Sequence, residues 1–327
     1  MEHMHAIRVA APGNAEQLVY KECEQPQPGP QDILVKIKAI GINYIDIYIR
    51  TGLYKPPSYP YTPGKEASGE VVAVGDQVKD FTTGDRVAFC SNNSGTYAEY
   101  VVVPADQAVH IPDSMDYEIA AAAMLQGLTA YYLTHLTIAL HNKHIILVHA
   151  GAGGVGLLLI QMARMIGVQV FTTVSGEAKE KIAKKAGADH VIIYSRDSFH
   201  EAIQNLTKGK GVDVVYDAVG KDTFADSLLC LTTRGMLVSF GQASGPIPPF
   251  DISKLAEKSL YLTRPSLFHY AKTKEELRSM SAALFEFISK KGLQIQIGQR
   301  YALRHAAKAH RDLEERRTVA KSILLPE

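Results

Sequence analysis

The chain has 327 residues, enough for two domains of ordinary size. Hydrophobic residues make up 46% and charged residues 21%, the balance of a globular chain with a substantial core; a net charge of +1 gives no electrostatic basis for nucleic acid or an anionic membrane as the main partner. No apolar run reaches the ~20 residues of a membrane span, and the start, Met1-Glu2-His3-Met4-His5, lacks the charged-then-apolar pattern of a secretion signal, so the expected location is the cytoplasm.

Taken in chain order, residues 1–125 are β-rich. Ile33–Ile40 and Gly69–Val74 partly alternate, and Tyr97–Val103 is rich in β-formers. Turn formers separate them at Gln27-Pro28-Gly29-Pro30, Pro56-Pro57, Pro63-Gly64, Gly84-Asp85 and Asn92-Asn93-Ser94-Gly95. This pattern predicts an irregular β-barrel. Near Ala120 it changes, and Ala120–Leu136 is alanine-rich and helix-compatible. Strands and helices then alternate: strand Ile145–His149, helix Val155–Ile166, strand Val168–Val174, helix Ala178–Ala186, strand His190–Ile193. Helix Phe199–Thr207, strand Val212–Ala218, helix Phe224–Leu231 and strand Met236–Phe240 continue the series. Val- and Ile-rich strands alternating with helices predict right-handed βαβ units and a doubly wound parallel sheet. Leu260–Thr263 reads as a last short strand and Thr273–Lys290 as a helix, after which the mixed character of the first part returns. The expected fold class is therefore α/β. A parallel-sheet domain over residues 126–263 is inserted in a discontinuous barrel domain of residues 1–125 and 264–327.

The segment His149-Ala150-Gly151-Ala152-Gly153-Gly154-Val155-Gly156 joins the first of these strands to its helix. A strand that turns through glycines into a helix leaves backbone N–H groups at the helix N-terminus, where a pyrophosphate binds. Gly151, Gly153 and Gly156 fit G-x-G-x-x-G: the first for a tight turn, the second for phosphate approach, the third for close packing of the helix. The glycine pattern alone is weak. Its strand–turn–helix setting makes it a dinucleotide site, with Ala152, Gly153, Gly154 and Val155 at the phosphates, against the alternative of a βα turn with no ligand.

A chain that prefers NAD places Asp or Glu about 20 residues beyond the first glycine. Here the second strand ends in Thr172-Thr173-Val174-Ser175-Gly176, with no carboxylate, and Lys179 follows. A hydroxyl, a glycine amide and an ammonium suit the extra phosphate of NADP, so NADPH/NADP is the expected cofactor. The plainer reading of Lys179 is an exposed helix lysine among Lys181, Lys184 and Lys185.

Further landmarks run through the chain. They are Gly41-Ile42-Asn43-Tyr44-Ile45-Asp46-Ile47-Tyr48-Ile49-Arg50, Gly52-Leu53-Tyr54, Gly84-Asp85-Arg86-Val87 and Leu125-Gln126-Gly127-Leu128-Thr129-Ala130. After the glycine loop come Val214-Val215-Tyr216-Asp217-Ala218-Val219-Gly220, Ser239-Phe240-Gly241 and Thr263-Arg264-Pro265-Ser266-Leu267. In this order and spacing, and nearly end to end, they resemble the zinc-independent quinone oxidoreductases, the zeta-crystallin-like branch of the medium-chain dehydrogenases/reductases. The resemblance implies a GroES-like catalytic barrel around a Rossmann domain and NADPH as donor. It also implies a quinone or related conjugated electrophile as acceptor, and a homodimer.

Zinc-holding relatives carry Cys in the region matching Ala39–Asp46 and His after the glycine matching Gly64. Here that region has no Cys and Lys65 follows Gly64. Their structural zinc needs four clustered cysteines, but Cys23, Cys90 and Cys230 are far apart, which also argues against a disulfide framework. None of the twelve histidines has ligand-like spacing, so no metal is expected. Without a Lewis acid to acidify a hydroxyl, alcohol–carbonyl interconversion is disfavoured and reduction of an electron-poor conjugated acceptor stays feasible.

The same correspondence puts Asn43 and Tyr48 beside the nicotinamide as the catalytic hydrogen-bonding residues. The plainer alternative is that Tyr44 and Tyr48, at i and i+4, form one packed helical face. Cofactor contacts are implied for Asn43, Asp46, Tyr48, Thr129, Ser175, Gly176, Lys179, Tyr194, Phe240, Gly241, Pro265, Leu267 and Arg316. Asp46 reads as a local anchor rather than a general base, and His149 as a strand-end histidine. Tyr194 would end the third strand near the 2′-phosphate. Arg316 lies in the charge run Glu314-Glu315-Arg316-Arg317, whose plainer reading is a solvated helix end. Ala320 and Lys321 depart from the glycine and small hydroxyl residues frequent in relatives, which weakens the expected contacts there. Lys65 is expected either to fill the vacated zinc region, paired with Asp46 or Glu66, or to be a solvated lysine. The expected activity is transfer of hydride, or of single electrons, from NADPH to a quinone. An enoyl or 2-alkenal reductase and a non-catalytic NADPH-binding structural or RNA-binding protein are the alternatives.

Overall fold

The computed structural model describes residues 2–56, 58–92 and 95–327; Pro57, Asn93 and Ser94, which belong to two of the expected turns, lie outside them. The chain divides into two units, Met1–Leu128 with Tyr270–Glu327, and Thr129–His269.

The first unit opens with β1 (His3–Arg8), paired antiparallel with β2 (Val19–Glu24). Next come β3 (Asp32–Gly41), α1 (Tyr44–Arg50), β4 (Glu66–Val74), β5 (Arg86–Cys90), β6 (Tyr100–Pro104), β7 (Ala108–His110) and α2 (Tyr117–Tyr132). The helix ends four residues before the predicted Leu136. A π-turn over Leu133–Thr137 takes over, and the Thr134 hydroxyl donates to the Ala130 carbonyl at 2.7 Å. Side-chain bonding to the preceding turn loosens the α-helical ladder in this way.

The second unit alternates as predicted: β8 (Ile145–Val148), α3 (Gly154–Ile166), β9 (Gln169–Val174), α4 (Glu177–Ala186), β10 (His190–Ile193), α5 (Phe199–Leu206), β11 (Val212–Asp217) and α6 (Phe224–Cys230). β12 (Leu231–Ser239) starts earlier than its apolar run Met236–Phe240, because it pairs with β11 across a register shift. β13 (Tyr261–Thr263) and the short α7 (Leu267–Tyr270) close the unit. The chain then returns to the first unit through α8 (Lys274–Ser289), β14 (Ile297–Ala302), α9 (Ala306–Glu314) and β15 (Lys321–Leu325).

β14, β15, β3, β4, β5 and β7 lie side by side in a seven-stranded sheet, with β6 on β3. Register shifts at Leu34/Val35 and Ile37/Ala39 mark bulges, which raise local twist and let such a sheet curl. Ile7, Val35, Ile37, Phe89, Val103 and Leu324 pack in its core. In the second unit all neighbours are parallel, in the order β10-β9-β8-β11-β12-β13. Leu147, Phe171, Val215 and Leu237 of this sheet pack with Ile203 and Phe224 of the covering helices. Strand order reverses between β8 and β11, the place where open α/β sheets bind nucleotides. Among the described residues no helix is long and apolar enough to cross a membrane.

Candidate active site

At the switch point the glycine loop performs its task with one change of part. The left-handed residue of the turn is Ala150, at φ 56°, rather than Gly151. Gly151 is needed for space: a Cβ there would lie 1.9 Å from the Thr172 hydroxyl of β9. A Cβ on Gly156 would lie 2.4 Å from the Ala150 carbonyl, so the third glycine packs the first turn of α3 onto the loop. Gly153 is the N-cap of α3, and its own Cβ would approach nothing closer than the Ala150 carbonyl at 3.2 Å. Ala152, Gly153, Gly154 and Val155 therefore stand at a helix N-terminus, where backbone amides can bind an anion, although the Gly153 N–H itself donates to the Ala150 carbonyl at 2.9 Å.

The other expected contacts of this unit lie at the carboxyl ends of the same strands. Ser175 and Gly176 follow β9, and a Cβ on Gly176 would meet nothing within 4 Å. Lys179 stands in the first turn of α4. Tyr194 follows β10, its N–H donating to the Val174 carbonyl at 3.1 Å. Phe240 and Gly241 follow β12, with both N–H groups donating to the Asp217 carbonyl. Pro265 and Leu267 follow β13. Ser175 and Gly176, between β9 and α4, carry no carboxylate, and Glu177, which opens α4, is paired with Arg196 at 3.3 Å, so the residues present fit NADP. Thr129 is the exception, buried in α2 instead of at a strand end. His149 is a structural residue, bonded to Thr173 and Ser227 at 2.9 Å on either ring nitrogen, with burial lowering its pKa.

Asn43, Asp46, Tyr48 and Arg316 belong to the first unit. Asn43 is the N-cap of α1, and its N–H donates to the Asp46 carboxylate at 2.8 Å, the reciprocal bond of a capping box. Asp46 is thus the anchor that its position predicts. Its Oδ2 also accepts from the Tyr97 hydroxyl at 3.1 Å, while Oδ1 is buried with no hydrogen-bond partner. Burial pushes the carboxyl up to about 6. Behind it, the fully buried Arg50 approaches His310 Nδ1 at 3.2 Å and pairs with Glu314 at 2.6 Å. Arginine can only donate, so Nδ1 accepts and the ring proton sits on Nε2, which donates to Tyr97 at 2.9 Å. Desolvation and the neighbouring guanidinium hold His310 neutral, lowered to about 3.

Tyr48 lies in a tyrosine cluster, its ring 6.1 Å from Tyr44 and edge-on to Tyr54 at 5.5 Å. The i, i+4 face is therefore real, and Tyr44 is tied down by a bond to the Leu313 carbonyl at 3.0 Å. Arg316, just past α9, has a left-handed backbone at φ 59°.

Lys65 follows neither expectation. It is half-buried and bonds the Asn92 carbonyl and, at 3.3 Å, the Asn92 side chain. Burial lowers its pKa. The ammonium that meets Glu66 comes instead from Lys321, 2% exposed against a carboxylate at 0%. Lys321 donates to Glu66, to the Ile42 carbonyl at 3.0 Å and to Asn43 Oδ1 at 2.9 Å. Asn43 Nδ2 donates to Glu66 at 2.6 Å, and the Leu125 N–H reaches the other oxygen of Glu66 at 2.5 Å. Gln126 Nε2 donates to Asn43 Oδ1 at 3.2 Å. Sequence reasoning missed Glu66, Lys321, Tyr97 and His310 as a group. The one visible signal was a charged residue opening each of two apolar strands, β4 and β15. Among the described residues no group of three or more His, Cys, Asp or Glu could hold a metal ion.

Strand order, glycine turn and the loop after β9 together define a dinucleotide-binding protein. Residues 29–113 match the alcohol dehydrogenase GroES-like domain family and residues 154–285 the zinc-binding dehydrogenase family. The chain is 46% identical to a quinone oxidoreductase of Pseudomonas aeruginosa over 98% of its length and 99% of the relative's. It is also similar to the structure of Escherichia coli quinone oxidoreductase complexed with NADPH, at 42% identity and a TM-score of 0.96, covering 98% of this chain and 100% of that one. A 2-haloacrylate reductase of a Burkholderia species is 38% identical over 96% of this chain and 97% of the relative. The chain belongs to the quinone oxidoreductase family of the medium-chain dehydrogenases/reductases, and is an oxidoreductase of that superfamily.

Proposed function

We propose that this protein is a zinc-independent NADPH:quinone oxidoreductase. The observation that carries the reading is the pyrophosphate-binding turn at the sheet's switch point together with Ser175 and Gly176 after β9 and Lys179 in the first turn of α4. It suits a donor bearing a 2′-phosphate, and the quinone and NADPH names of the close relatives agree with it. Bound NADPH supplies the hydride or electrons. Ala152, Gly153, Gly154 and Val155 line the pyrophosphate, which the backbone amides opening α3 bind, and Ser175, Gly176, Lys179 and Tyr194 receive the 2′-phosphate. Thr129, Phe240, Gly241, Pro265, Leu267 and Arg316 complete the cofactor contacts. Asn43 and Tyr48 donate hydrogen bonds to oxygen as it gains negative charge, and Asp46 holds the start of α1 in place for them. Lys321 puts an ammonium group against Glu66, next to the position after Gly64 where zinc-holding relatives carry His, which supports the zinc-free reading. Protonation of the product from water completes the reaction without a dedicated acid. The three cysteines, all unpaired, suit a reducing cytoplasm. We further propose a homodimer.

The test is NADPH oxidation with 1,4-benzoquinone and 9,10-phenanthrenequinone, compared with NADH. Much faster oxidation of NADPH is expected; a clear NADH preference sinks the cofactor assignment. A 2-haloacrylate and a 2-alkenal, run under matched NADPH, address the alternative favoured by the haloacrylate-reducing relative. Turnover of these compounds with inert quinones would replace the quinone reading by conjugated C=C reduction.

A further inference from the structure

An amide side chain is ambiguous in orientation, because its oxygen and nitrogen ends are similar in shape and opposite in hydrogen-bonding role. At Asn43 the surroundings remove the ambiguity. On one side stands Glu66, which when ionised can only accept; on the other stands Lys321, which can only donate. Turning the Asn43 amide over would set oxygen against carboxylate and N–H against ammonium inside a buried cluster, where such contacts are costly. Asn43 Oδ1 therefore receives two donors, Lys321 and Gln126, and is saturated. One Nδ2 proton is spent on Glu66 at 2.6 Å, and the second has no partner among the described residues. The same polarity passes on to Gln126. Its nitrogen is committed to Asn43, and its Oε1 is left buried without a partner.

The fold goes to some length to build this arrangement. Gly41 leaves room for the Glu66 carboxylate, since a Cβ at that position would lie 2.2 Å from Oε1. All three protons of Lys321 are used, on Ile42, Asn43 and Glu66. A hydrophobic pair of similar volume would fill the space without the desolvation cost of two charges.

We infer that the buried Lys321–Glu66 pair is a positioning device that fixes the polarity of the Asn43 amide, so that one N–H is presented to the oxygen of the acceptor and Gln126 Oε1 to a donor on the bound ligands. The inference rests on the proposed catalytic role of Asn43. It gives Lys321 a function in turnover that its distance in sequence from α1 conceals.

The experiment is a double-mutant cycle between Lys321→Met and Asn43→Ala. It reads kcat and KM for 9,10-phenanthrenequinone, NADPH affinity by fluorescence titration, and thermal melting. Lys321→Met alone is expected to lower kcat about tenfold, the scale of a misplaced hydrogen-bond donor, with NADPH affinity changed less than about twofold. In the Asn43→Ala background the same substitution is expected to cost less than about twofold, and Lys321→Arg to recover part of kcat. Lys321→Met leaves Glu66 buried and unpaired, so Lys321→Met with Glu66→Gln, which removes both charges, carries the cycle if the single variant fails to fold. An equal loss of kcat in both backgrounds, or an unchanged kcat in the folded Lys321 variant, overturns the inference. The cycle is run in parallel with a 2-haloacrylate, on whose carboxylate oxygens negative charge also builds up as hydride adds to the C=C bond. Inert quinone beside an active haloacrylate would sink the quinone reading while the cycle still decides the role of Lys321.

Discussion

Asp46 shows how one buried carboxyl adds a pH signature to the molecule. Its pKa is raised by burial from an ordinary 3.8 to about 6, with Tyr97, Asn43 and the ammonium groups of Lys321 and Lys65 pulling the other way. Between pH 4 and 6 the folded state keeps a proton that the unfolded chain releases. The contribution of Asp46 to stability therefore falls as pH rises through that window, by up to about 3 kcal/mol. His310 has the opposite sense: lowered to about 3, it favours the folded state above pH 6.5 and less so as pH falls. The two overlap in the wild-type profile, so the difference between variants is the informative quantity. Asp46→Asn is expected to gain on the wild type by about 2 kcal/mol in urea denaturation between pH 4.5 and pH 7.5. A difference independent of pH would show that Asp46 does not titrate in this range. Asp46 was readable as a local anchor, and the structure supplies the reason, its capping-box bond to the Asn43 N–H. Its partner Tyr97, and His310 bonded in turn to Tyr97, were not, because they lie 51 and 264 residues away and no local spacing links them. Lys321 was visible only as a departure from relatives. Its pairing with Glu66, 255 residues distant, is a product of β15 returning beside β3.

The β8–α3 element was legible because its signals are local: an apolar strand, a glycine turn and an apolar helix-compatible segment within about twenty residues. The division of labour inside the turn was not. The glycine pattern assigns the tight turn to Gly151, but the positive φ falls on Ala150 and Gly151 exists to admit Thr172 of the neighbouring strand. Contact across a sheet depends on pairing register, which a single strand does not reveal. Gly151→Ala is accordingly expected to push β9 from the loop and weaken NADPH binding at least about tenfold, measured by fluorescence titration. Adding Thr172→Ala removes the 1.9 Å contact and leaves one at 2.9 Å to the Thr172 Cβ, so affinity should return in part. A Gly151→Ala variant that binds NADPH like the wild type would show that the loop relaxes freely. Element ends were the least legible feature. β12 extends back to Leu231 and α2 stops at Tyr132, since both limits are set by partners: β11 for the strand, and the Thr134 hydroxyl for the helix.

At the scale of the whole molecule, the six-stranded sheet ends on β13, whose outer backbone edge pairs with no strand among the described residues. An open edge is a template for another chain, and single-chain proteins blunt it with charge, proline or cover. β13 has none of the first two: it reads Tyr261-Leu262-Thr263, with Tyr261 57% and Leu262 38% exposed. Ile252, in the turn of helix leading to it, is 75% exposed. A second copy related by a twofold axis can add its own β13 antiparallel to this one, satisfying both edges and covering the same apolar side chains on each subunit. Closed pairing of this kind uses the patch once and stops, which accounts for an uncharged edge in a chain of near-neutral net charge. The protein is therefore expected to sediment as a dimer of its 35.8 kDa chain at micromolar concentration. Tyr261→Lys with Leu262→Asp should give monomers that still bind NADPH at the switch point between β8 and β11, in the middle of the sheet. A wild type that sediments as a monomer would overturn the dimer, and a double variant that remains dimeric would place the interface elsewhere.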